Sequence, residues 1–451
     1  MGLRIMAPVR RLYAWALRVV QRLGTTARRV IGRGPRDARR RRIDWGALTR
    51  TSRSERAGLG AYYVAAFLDA HRADLVGDVL ELTNPSGAAE LPEDHFDCVV
   101  MTRGFNVAAD VRFTLTQALR TLRSGGVLLC AASSLASFGA DDGDEGGWRV
   151  TPAGLRVLLR ASFPLGSFDV GSSGTLMACA AELNGLAPAD LAADERDTPD
   201  PRFPVVVTAR AVKPPAQRPA HMGGGGPVLP QTGRRRPFEW GDLRRREPFS
   251  AVWGFDRGTP VDRIFIERFI EGHRDDIRGH VLEVHDPFYA TRFRERVVRT
   301  DVVDIDPGNR QATITADLTR ADDIASDRFD CFILTHTLQY IDDVMAALRH
   351  AERILRPGGV LLCSVPAVSR VAPEYADGDG DYWRFTEGLV RRLFGDVFGA
   401  DRCRVVAYGN RLVSTAFLYG LAAEEVPSKF FETSDARCPL IVCARAQKTP
   451  Q

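Results

Sequence analysis

The sequence contains the segment Leu122-Arg-Ser-Gly-Gly-Val-Leu-Leu-Cys130, and 233 residues further on it contains the near-copy Leu355-Arg-Pro-Gly-Gly-Val-Leu-Leu-Cys363. The shorter segment Phe96-Asp-Cys98 returns at the same spacing as Phe329-Asp-Cys331. Segments that recur in the same order and at the same spacing are typical of a duplicated structural unit. The sequence therefore predicts two copies of one domain.

A further match has a different spacing. The run from Ala61 to Leu82 resembles the run from Arg263 to Val284, and here the spacing is 202 residues. The rise from 202 to 233 means that 31 residues between Glu283 and Phe329 have no counterpart in the first copy. We therefore expect the first copy to lack its second strand, the helix after it and the next strand.

The second copy alternates short apolar runs with longer segments of helical periodicity, such as Val344 to Leu355. Nearly continuous apolar strands that alternate with helices predict a parallel sheet covered on both faces. Ligands of such sheets bind beyond the carboxyl ends of the strands. The strands predicted for the second copy are 281–284, 297–303, 331–335, 359–365, 404–408 and 440–444.

These matches divide the chain into four parts. Residues 1–40 form a basic N-terminal segment, and residues 41–212 form the shortened first copy. Residues 213–235 are rich in Pro and Gly, which is typical of a flexible linker, and residues 236–451 form the complete second copy. We predict an α/β protein with two doubly wound, Rossmann-like domains, of which the first is truncated.

The composition excludes several classes of protein. With 45% hydrophobic and 26% charged residues, the chain is neither disordered nor fibrous, and it has no apolar run long enough for a membrane-spanning helix. Its eight cysteines show no metal-ligand spacing, so no metal site is expected, and most lie in apolar, strand-like runs. Buried thiols of this kind favour a reducing, cytoplasmic location.

The first 50 residues contain 14 Arg, no Lys and two Asp, a net charge of +12, whereas the other 401 residues carry −8. Residues 8–23 place Leu12, Trp15, Val19 and Leu23 on one side of a helix, with arginines opposite. Such a helix can lie on an anionic membrane surface, here the inner face. Docking on another protein and a solvated tail are the alternatives. Without a recognised nucleic-acid motif, we do not expect a nucleic-acid partner.

Six segments of the second copy follow one another in an order that is known from one enzyme family. They are Val281-Leu-Glu283, Asp301 to Asp306, Ala316-Asp317-Leu318, Phe329 to His336, Leu355 to Leu362 and Asp381-Tyr-Trp-Arg-Phe-Thr386. This series resembles the class I S-adenosylmethionine-dependent methyltransferases, in particular a type 11-like branch often encoded near glycan-building genes. The resemblance covers about residues 239–449 and implies S-adenosylmethionine as the cofactor.

One motif departs from the family pattern. The family has glycines after the acidic residue of its first motif, so that the backbone can approach the ligand closely. Here Glu283 is followed by Val284-His285-Asp286-Pro287-Phe288, which contains no glycine. Either this loop takes another path around the ligand or cofactor binding is weak or lost.

The resemblance also implies roles for acidic residues near strand ends. A carboxylate after the second strand would accept hydrogen bonds from the ribose hydroxyls; Asp301 and Asp304 both qualify, and Asp301 is preferred because its spacing suits the family. Asp317 matches the residue that meets the adenine amino group. The alternative is that the acids only solvate the strand ends. The cofactor-binding candidates are Glu283, His285, Asp301, Asp304, Asp317 and Thr335.

Candidates on the acceptor side follow the fourth and fifth strands of the family order. His336 comes directly after strand four, and histidine suits a general base because its charge changes near neutral pH; a histidine without a catalytic role is the alternative. Tyr382, Trp383 and Arg384 are predicted on the loop after strand five. Aromatic rings and an arginine there suit binding of a sugar or an anionic group, unless Trp383 only packs the loop.

The first copy has Arg103 at the position of His336, and it has no counterpart of Asp301, Asp304 or Asp317. It is therefore expected to be a noncatalytic pseudo-domain. Two main functions stay open for the whole chain, and a nucleic-acid methyltransferase is a third that only the charge of the basic N-terminal segment favours. The second copy transfers a methyl group to an oxygen of a glycan or other small-molecule acceptor, or the protein is a noncatalytic scaffold in a glycan-assembly complex.

Overall fold

The computed structural model describes residues 58–82, 89, 91–102, 110–135, 147–163, 166–214, 241–375, 378–435 and 437–450. The predicted amphipathic helix at residues 8–23, most of the predicted linker and Arg103 lie outside the described residues. Within the described ranges, every helix is too short or too polar to cross a membrane.

The first unit, residues 58–214, contains a five-stranded sheet. The strands of this unit are β1 (Val79–Glu81), β2 (Phe96–Met101), β3 (Leu122–Ser133), β4 (Arg149–Val150), β5 (Ser167–Ser173) and β6 (Val206–Val212), and β4 lies outside the five-stranded sheet. Its helices are α1 (Leu59–Ala70), α2 (Val111–Thr121), α3 (Pro152–Ser162), α4 (Leu176–Leu183) and α5 (Ala193–Arg196). The sheet order is β1-β2-β3-β6-β5. β1, β2 and β3 are parallel, and β6 is antiparallel to both of its neighbours.

The second unit, residues 241–450, contains a seven-stranded sheet in the order β13-β14-β11-β10-β7-β8-β9. The strands of this unit are β7 (Gly279–Val284), β8 (Val297–Asp304), β9 (Ile314–Thr315), β10 (Phe329–Thr335), β11 (Leu355–Pro366), β12 (Trp383–Arg384), β13 (Cys403–Tyr408) and β14 (Ile441–Gln447), and β12 lies outside the seven-stranded sheet. Its helices are α6 (Val261–Gly272), α7 (Phe288–Arg292), α8 (Val344–Ile354), α9 (Glu387–Phe398) and α10 (Arg411–Leu418).

The two sheets share an order of strands. β1, β2, β3, β6 and β5 follow the order and directions of β7, β10, β11, β14 and β13, and β8 and β9 have no counterpart in the described part of the first unit. All six strands predicted for the second copy are present. Its sheet is mixed rather than purely parallel, because β14 runs antiparallel to both β11 and β13. Mixed sheets of this kind are common among large sheets, including those of many doubly wound folds.

Equivalent helices begin at equivalent residues in the two units. The carboxylate of Asp110 accepts a hydrogen bond from Phe113 N (2.9 Å) at the start of α2, and that of Asp343 accepts one from Ala346 N (3.0 Å) at the start of α8. Such a cap stabilises a helix by about 1 kcal/mol, since it pairs a first-turn amide. The face that α8 buries consists of Val344, Ala347, Leu348, Ala351 and Ile354.

The cysteines belong to the packed interior. Seven of the eight are buried, and Cys403 is half-buried. Burial raises the pKa of the Cys98 thiol to about 11 and that of the Cys130 thiol to about 12, so both stay protonated at neutral pH. No group of three or more His, Cys, Asp or Glu side chains in the described ranges is arranged to hold a metal ion.

The two units meet through segments that match in sequence, 147–151 and 382–386. β4 pairs antiparallel with β12, which places Val150 opposite Trp383. The ring of Trp148 packs edge-on against the ring of Trp383, with centroids 5.0 Å apart. Because like segments pair with each other, the contact resembles the two-fold interface of a homodimer.

Threonine hydroxyls reinforce this contact from both sides. Thr151 Oγ1 donates a hydrogen bond to the carbonyl oxygen of Asp381 (2.5 Å), and Thr386 Oγ1 donates one to that of Gly147 (3.4 Å). Helices α4 and α10 also pack on each other across the interface. The first unit therefore holds the segment that precedes β12.

Gly154, in the first turn of α3, touches the same segment. A Cβ atom added at this position would lie 2.3 Å from the carbonyl oxygen of Tyr382, and a backbone atom cannot rotate away. Replacing Gly154 with Ala gains about 1 kcal/mol of helix propensity, whereas overpacking costs about 1–3 kcal/mol. We expect Gly154→Ala to lower the free energy of unfolding by about 1 kcal/mol, measured by urea denaturation.

Gly395→Ala in α9 is the matched control. The atoms nearest to a Cβ at Gly395 lie 3.6 Å away, which is ordinary van der Waals contact. Helix propensity alone should then act and raise the free energy of unfolding by up to about 1 kcal/mol. Equal stabilisation by both substitutions would contradict the close contact of the units at Gly154.

Candidate functional site

A cavity of about 330 Å³ lies at the carboxyl ends of β7, β8 and β10. Most of its walls come from the segments that directly follow these strands. This is the edge at which open α/β sheets bind their ligands. The volume lies within the range of about 300–1,000 Å³ that is usual for small-molecule sites.

Seven of the ten predicted site residues line this cavity, although they come from five separate segments of the chain. The seven are Glu283, His285, Asp304, Asp317, Thr335, His336 and Tyr382. The other three, Asp301, Trp383 and Arg384, do not line it.

Asp301 lies inside β8, which corrects the preference for this residue over Asp304. The strand continues to Asp304, so Asp301 is three residues short of the sheet edge. Its buried carboxylate contacts His280 Nε2 (2.9 Å), Arg328 Nη2 (2.5 Å) and Thr313 Oγ1 (3.0 Å). Burial opposes ionisation of Asp301, but these partners lower its pKa overall. Asp301 therefore joins neighbouring segments of the sheet and does not reach the cavity.

Trp383 and Arg384 are also buried within the protein and lie outside the large cavity, although Arg384 lines a smaller cavity beside it. Trp383 Nε1 donates a hydrogen bond to the carbonyl oxygen of Ile341 (2.7 Å). The side chain of Arg384 is 1% exposed and forms a salt bridge of 2.5 Å with Asp381. Both residues belong to β12, whose partner strand comes from the first unit, and this pairing buries them.

Asp304 ends β8 at the wall of the cavity. Its carboxylate accepts hydrogen bonds from Asn309 Nδ2 (2.8 Å) and from the amide of Asp306 (3.0 Å), and it lies 2.9 Å from His285 Nδ1. These contacts orient the carboxylate. Because a carboxylate offers about four acceptor positions, a ligand that donates two hydroxyls to Asp304 must replace at least one of these contacts.

The loop after β7 contains no glycine, and His285 adopts there a backbone conformation that favours glycine. His285 has a φ of 73°, a left-handed conformation that glycine adopts easily and other residues adopt at a cost of about 1–2 kcal/mol. Its amide donates a hydrogen bond to the carbonyl oxygen of Val303 (3.0 Å), and its ring contacts Asp304. Contacts with β8 therefore stabilise the conformation that glycines provide in the related family.

Glu283, at the end of β7, has a structural role as well as a position at the cavity. Its two carboxyl oxygens accept hydrogen bonds from the amides of Tyr289 and Ala290, both 2.9 Å long. Burial raises the pKa of Glu283 to about 8, and the charge of Asp286 adds to the rise, whereas the two amide hydrogen bonds lower it. Glu283 thus ties the loop after β7 to α7.

The raised pKa makes the stability of the fold depend on pH through Glu283. The folded pKa of about 8 lies above the ordinary value of about 4.3. The contribution of protonated Glu283 to the free energy of unfolding is therefore complete below about pH 4, and it is lost as the pH rises from there through about 8. Glu283→Gln removes this dependence. Relative to the variant, the wild type should lose about 4 kcal/mol between pH 5 and pH 9, at 1.36 kcal/mol per pKa unit.

Urea denaturation of the two proteins at a series of pH values measures this difference. Folding of the variant at pH 5 provides the internal control, because wild-type Glu283 is then neutral like glutamine. Parallel stability curves for the two proteins across this range would contradict the raised pKa.

His336 follows β10 and also has a positive φ, 47°, which a hydrogen bond from its amide to Ser364 O (2.9 Å) supports. Its Nε2 atom lies 3.1 Å from Oδ2 of Asp262 in the first turn of α6, off the line of an ideal hydrogen bond. Burial opposes ionisation of Asp262, but the neighbouring His336 and Arg263 lower its pKa overall. A histidine and a buried carboxylate therefore form a pair at the cavity wall.

Several residues that line the cavity are not predicted from the sequence. Ile305 is 40% exposed directly after Asp304, and an apolar side chain at a strand end is a signal that could have found it. Tyr340 and Tyr375 lie with ring centroids 5.8 Å apart, and together with Tyr382 they form an aromatic wall. These tyrosines come from separate loops, so no local pattern predicts their meeting.

Residues 243–396 match a family model whose description is "Methyltransferase domain". This part of the chain matches the methyltransferase domain family. All residues that line the large cavity lie within the matched range. The first unit lies outside that range.

Solved structures of methyltransferases are similar to the chain. One is the Burkholderia thailandensis 1,6-didemethyltoxoflavin-N1-methyltransferase with S-adenosylhomocysteine (18% identity, 42% of this chain, 78% of that chain, TM-score 0.28). Another is the N-methyltransferase NodS from Bradyrhizobium japonicum, also with S-adenosylhomocysteine (14% identity, 44% of this chain, 92% of that chain, TM-score 0.28). No curated protein matches the sequence.

Proposed function

We propose that the methyltransferase domain binds S-adenosylmethionine in the large cavity and methylates an oxygen of a glycan or another small-molecule acceptor. The observation that carries the proposal is the buried carboxylate of Asp304, which stands at the end of β8 on the wall of a cavity of about 330 Å³. A carboxylate at this strand end suits a ribose, because charge-assisted hydrogen bonds to its two hydroxyls are strong.

Other lining residues suit the remaining parts of the cofactor. Ile305 and Leu318 offer apolar surface to an adenine ring, and the exposed carboxylate of Asp317 lies beside them. Asp286 and Asp342 place negative charge at the cavity, which favours the cationic amino and sulfonium groups. When bound, the cofactor supplies a methyl group that is attached to a positively charged sulfur. After the transfer, this sulfur is part of a neutral thioether, which is a good leaving group.

His336 is proposed as the base that takes the proton of the acceptor hydroxyl. It directly follows β10, one of the strands whose carboxyl ends border the cavity, and it lines the cavity together with Tyr340 and Tyr382. A base in this position contributes on the order of 10²–10⁴-fold to rate. Holding the acceptor in line with the methyl group contributes more, about 7–11 kcal/mol of the barrier.

The first unit is proposed to be noncatalytic. Its described part contains no counterpart of β8 and β9, and those strands lead into Asp304 and Asp317 of the second unit. Its contacts support a different role, because β4 pairs with β12 next to Tyr382 on the cavity wall. We therefore assign the first unit the task of holding the acceptor-side loop in place.

Isothermal titration of the full chain with S-adenosylhomocysteine tests the proposed function. We expect binding with a stoichiometry of one per chain, since only the second unit carries the site. Absence of binding would contradict the enzyme assignment. A stoichiometry of two would contradict the noncatalytic role of the first unit.

A further inference from the structure

A second, smaller cavity adjoins the large one, and we call it the side chamber. Its volume is about 20 Å³, which is enough for one water molecule or one hydroxyl group. Asp262, His336, Gln339 and Tyr340 contribute to its walls, and His336 and Tyr340 line the large cavity as well. The side chamber therefore lies directly beside the proposed base, and the proposed cofactor contacts do not use it.

Two oxygen atoms of the side chamber have no hydrogen-bond partner among the described residues. They are Asp262 Oδ1 and Gln339 Oε1, and the two residues are only 5% and 3% exposed. An unpaired buried polar atom costs about 1–3 kcal/mol, so its retention calls for an explanation. Both oxygens are acceptors. A hydroxyl group can donate a hydrogen bond to these oxygens, and it fits the side chamber in size.

The charges around the side chamber favour a neutral donor over an anion. Asp262 directs negative charge into it, and its lowered pKa keeps this carboxylate ionised. Two arginines also line the side chamber, but each has another partner. The guanidinium of Arg370 lies over the ring of Trp253, 4.6 Å from its centroid, and that of Arg384 pairs with Asp381. A carboxylate or phosphate group would be repelled by Asp262, whereas a hydroxyl group would be held.

Asp262 also acts on His336. When the ring carries its proton on Nε2, Asp262 Oδ2 lies 3.1 Å from that atom, off the line of an ideal hydrogen bond. Nδ1 then keeps a lone pair, with Gln339 Nε2 as a long contact at 3.5 Å. An acceptor hydroxyl can then give its proton to Nδ1, and the carboxylate of Asp262 stabilises the resulting imidazolium, as in other His–Asp pairs. One proton moves to His336 as the acceptor oxygen gains the methyl group, so the reaction needs no further reagent.

We propose that the side chamber holds one hydroxyl of a polyhydroxylated acceptor, such as a sugar, while the neighbouring hydroxyl reacts at His336. This inference rests on the proposed function and narrows its acceptor to compounds with adjacent hydroxyl groups. The rings of Tyr340, Tyr375 and Tyr382 offer the apolar surface against which the face of a sugar ring packs. Asp262 is then a positioning residue for both the acceptor and the base.

Nitrogen NMR of the full chain with ¹⁵N-labelled histidine tests the action of Asp262 on His336 without cofactor or acceptor. The His336 signal is assigned by its loss in His336→Gln. We expect the Nε2-protonated tautomer in the wild type and a shift toward the other tautomer in Asp262→Ala. Asp401→Ala, at a side chain 76% exposed, should leave the signal unchanged. A wild-type ring with its proton on Nδ1 would overturn this part of the proposal.

Transfer of a deuterated methyl group tests the acceptor class. The full chain, cofactor labelled with CD₃ and a polar extract of cells lacking the protein are incubated together, and labelled products are mapped by mass spectrometry. We expect a labelled ether on a carbon next to one that bears a free hydroxyl. Asp262→Ala and Gln339→Met should lower its yield at least about tenfold, the equivalent of one lost hydrogen bond, and leave S-adenosylhomocysteine affinity unchanged.

The outcomes separate this inference from the proposed function. A labelled ester, a labelled ether without an adjacent hydroxyl, or full transfer by both variants would overturn the side-chamber proposal. Binding of S-adenosylhomocysteine without any labelled product would also count against it. Failure of the wild type to bind S-adenosylhomocysteine would instead refute the proposed function itself.

Discussion

Replacement of Asp304 with Ala is expected to weaken S-adenosylhomocysteine binding by about 10²–10⁴-fold. Each hydrogen bond to a charged group contributes about 1.5–3 kcal/mol, and this carboxylate is proposed to accept two from the ribose. Together they correspond to about 3–6 kcal/mol, at 1.4 kcal/mol for each tenfold change in affinity. Calorimetric titration of the full-length variant measures the loss.

Asp301→Ala is the matched control for this experiment. Asp301 is an aspartate of the same strand and is equally buried, but it contacts His280 and Arg328 instead of the cavity. Its replacement should lower the free energy of unfolding and leave the affinity of the folded protein within about threefold of the wild type. Loss of affinity in Asp301→Ala with retention in Asp304→Ala would reverse our assignment of the ribose ligand.

Replacement of Arg384 with Met is expected to lower the free energy of unfolding by about 3–5 kcal/mol, because it leaves the buried Asp381 carboxylate without its cation. The Arg384–Asp381 pair is almost completely buried, with side chains 1% and 3% exposed. The guanidinium also donates hydrogen bonds to the carbonyl oxygens of Ser369 (3.1 Å) and Arg370 (2.7 Å). Thermal and urea denaturation measure the loss.

Arg391→Met provides the matched control on the surface. Arg391 pairs with Glu387 on α9, and its side chain is 57% exposed. Exposed pairs contribute only about 0–1 kcal/mol, since water and salt screen them. If both arginine variants lost equally little stability, the segment before β12 would not depend on its buried ion pair.

The strands of the second unit could be predicted because their signal is local. Runs such as Cys331 to Leu334 and Val360 to Cys363 are apolar without interruption, a pattern typical of a strand buried on both faces. The missing strands of the first unit could also be anticipated, because a deletion leaves a change of spacing in the sequence. Neither conclusion required knowledge of how distant segments pack.

The choice between Asp301 and Asp304 required knowledge of how distant segments of the chain pack. Both are acidic residues near the end of one apolar run, and the end of the strand decides which of them faces a ligand. β8 is extended by its pairing with β9, which places Val303 opposite Ile314 and Asp304 opposite Thr315. β9 consists of only two residues, and so short a strand leaves too weak a pattern to be recognised in advance.

The burial of Trp383 and Arg384 has a similar cause. An aromatic residue followed by an arginine on a loop suits ligand binding as well as packing, and the local sequence does not distinguish the two. The deciding contact is with Arg149 and Val150 of the first unit, more than 230 residues away in the chain. That the repeated segments pair with each other follows from the assembled structure of both units.

A crystal structure of the full chain with S-adenosylhomocysteine tests the central claim most directly. We predict one molecule of the ligand at the carboxyl ends of β7, β8 and β10, with both ribose hydroxyls at hydrogen-bond distance from Asp304. A ligand bound in the first unit, or a nucleoside held elsewhere in the second unit without contact to Asp304, would contradict the account.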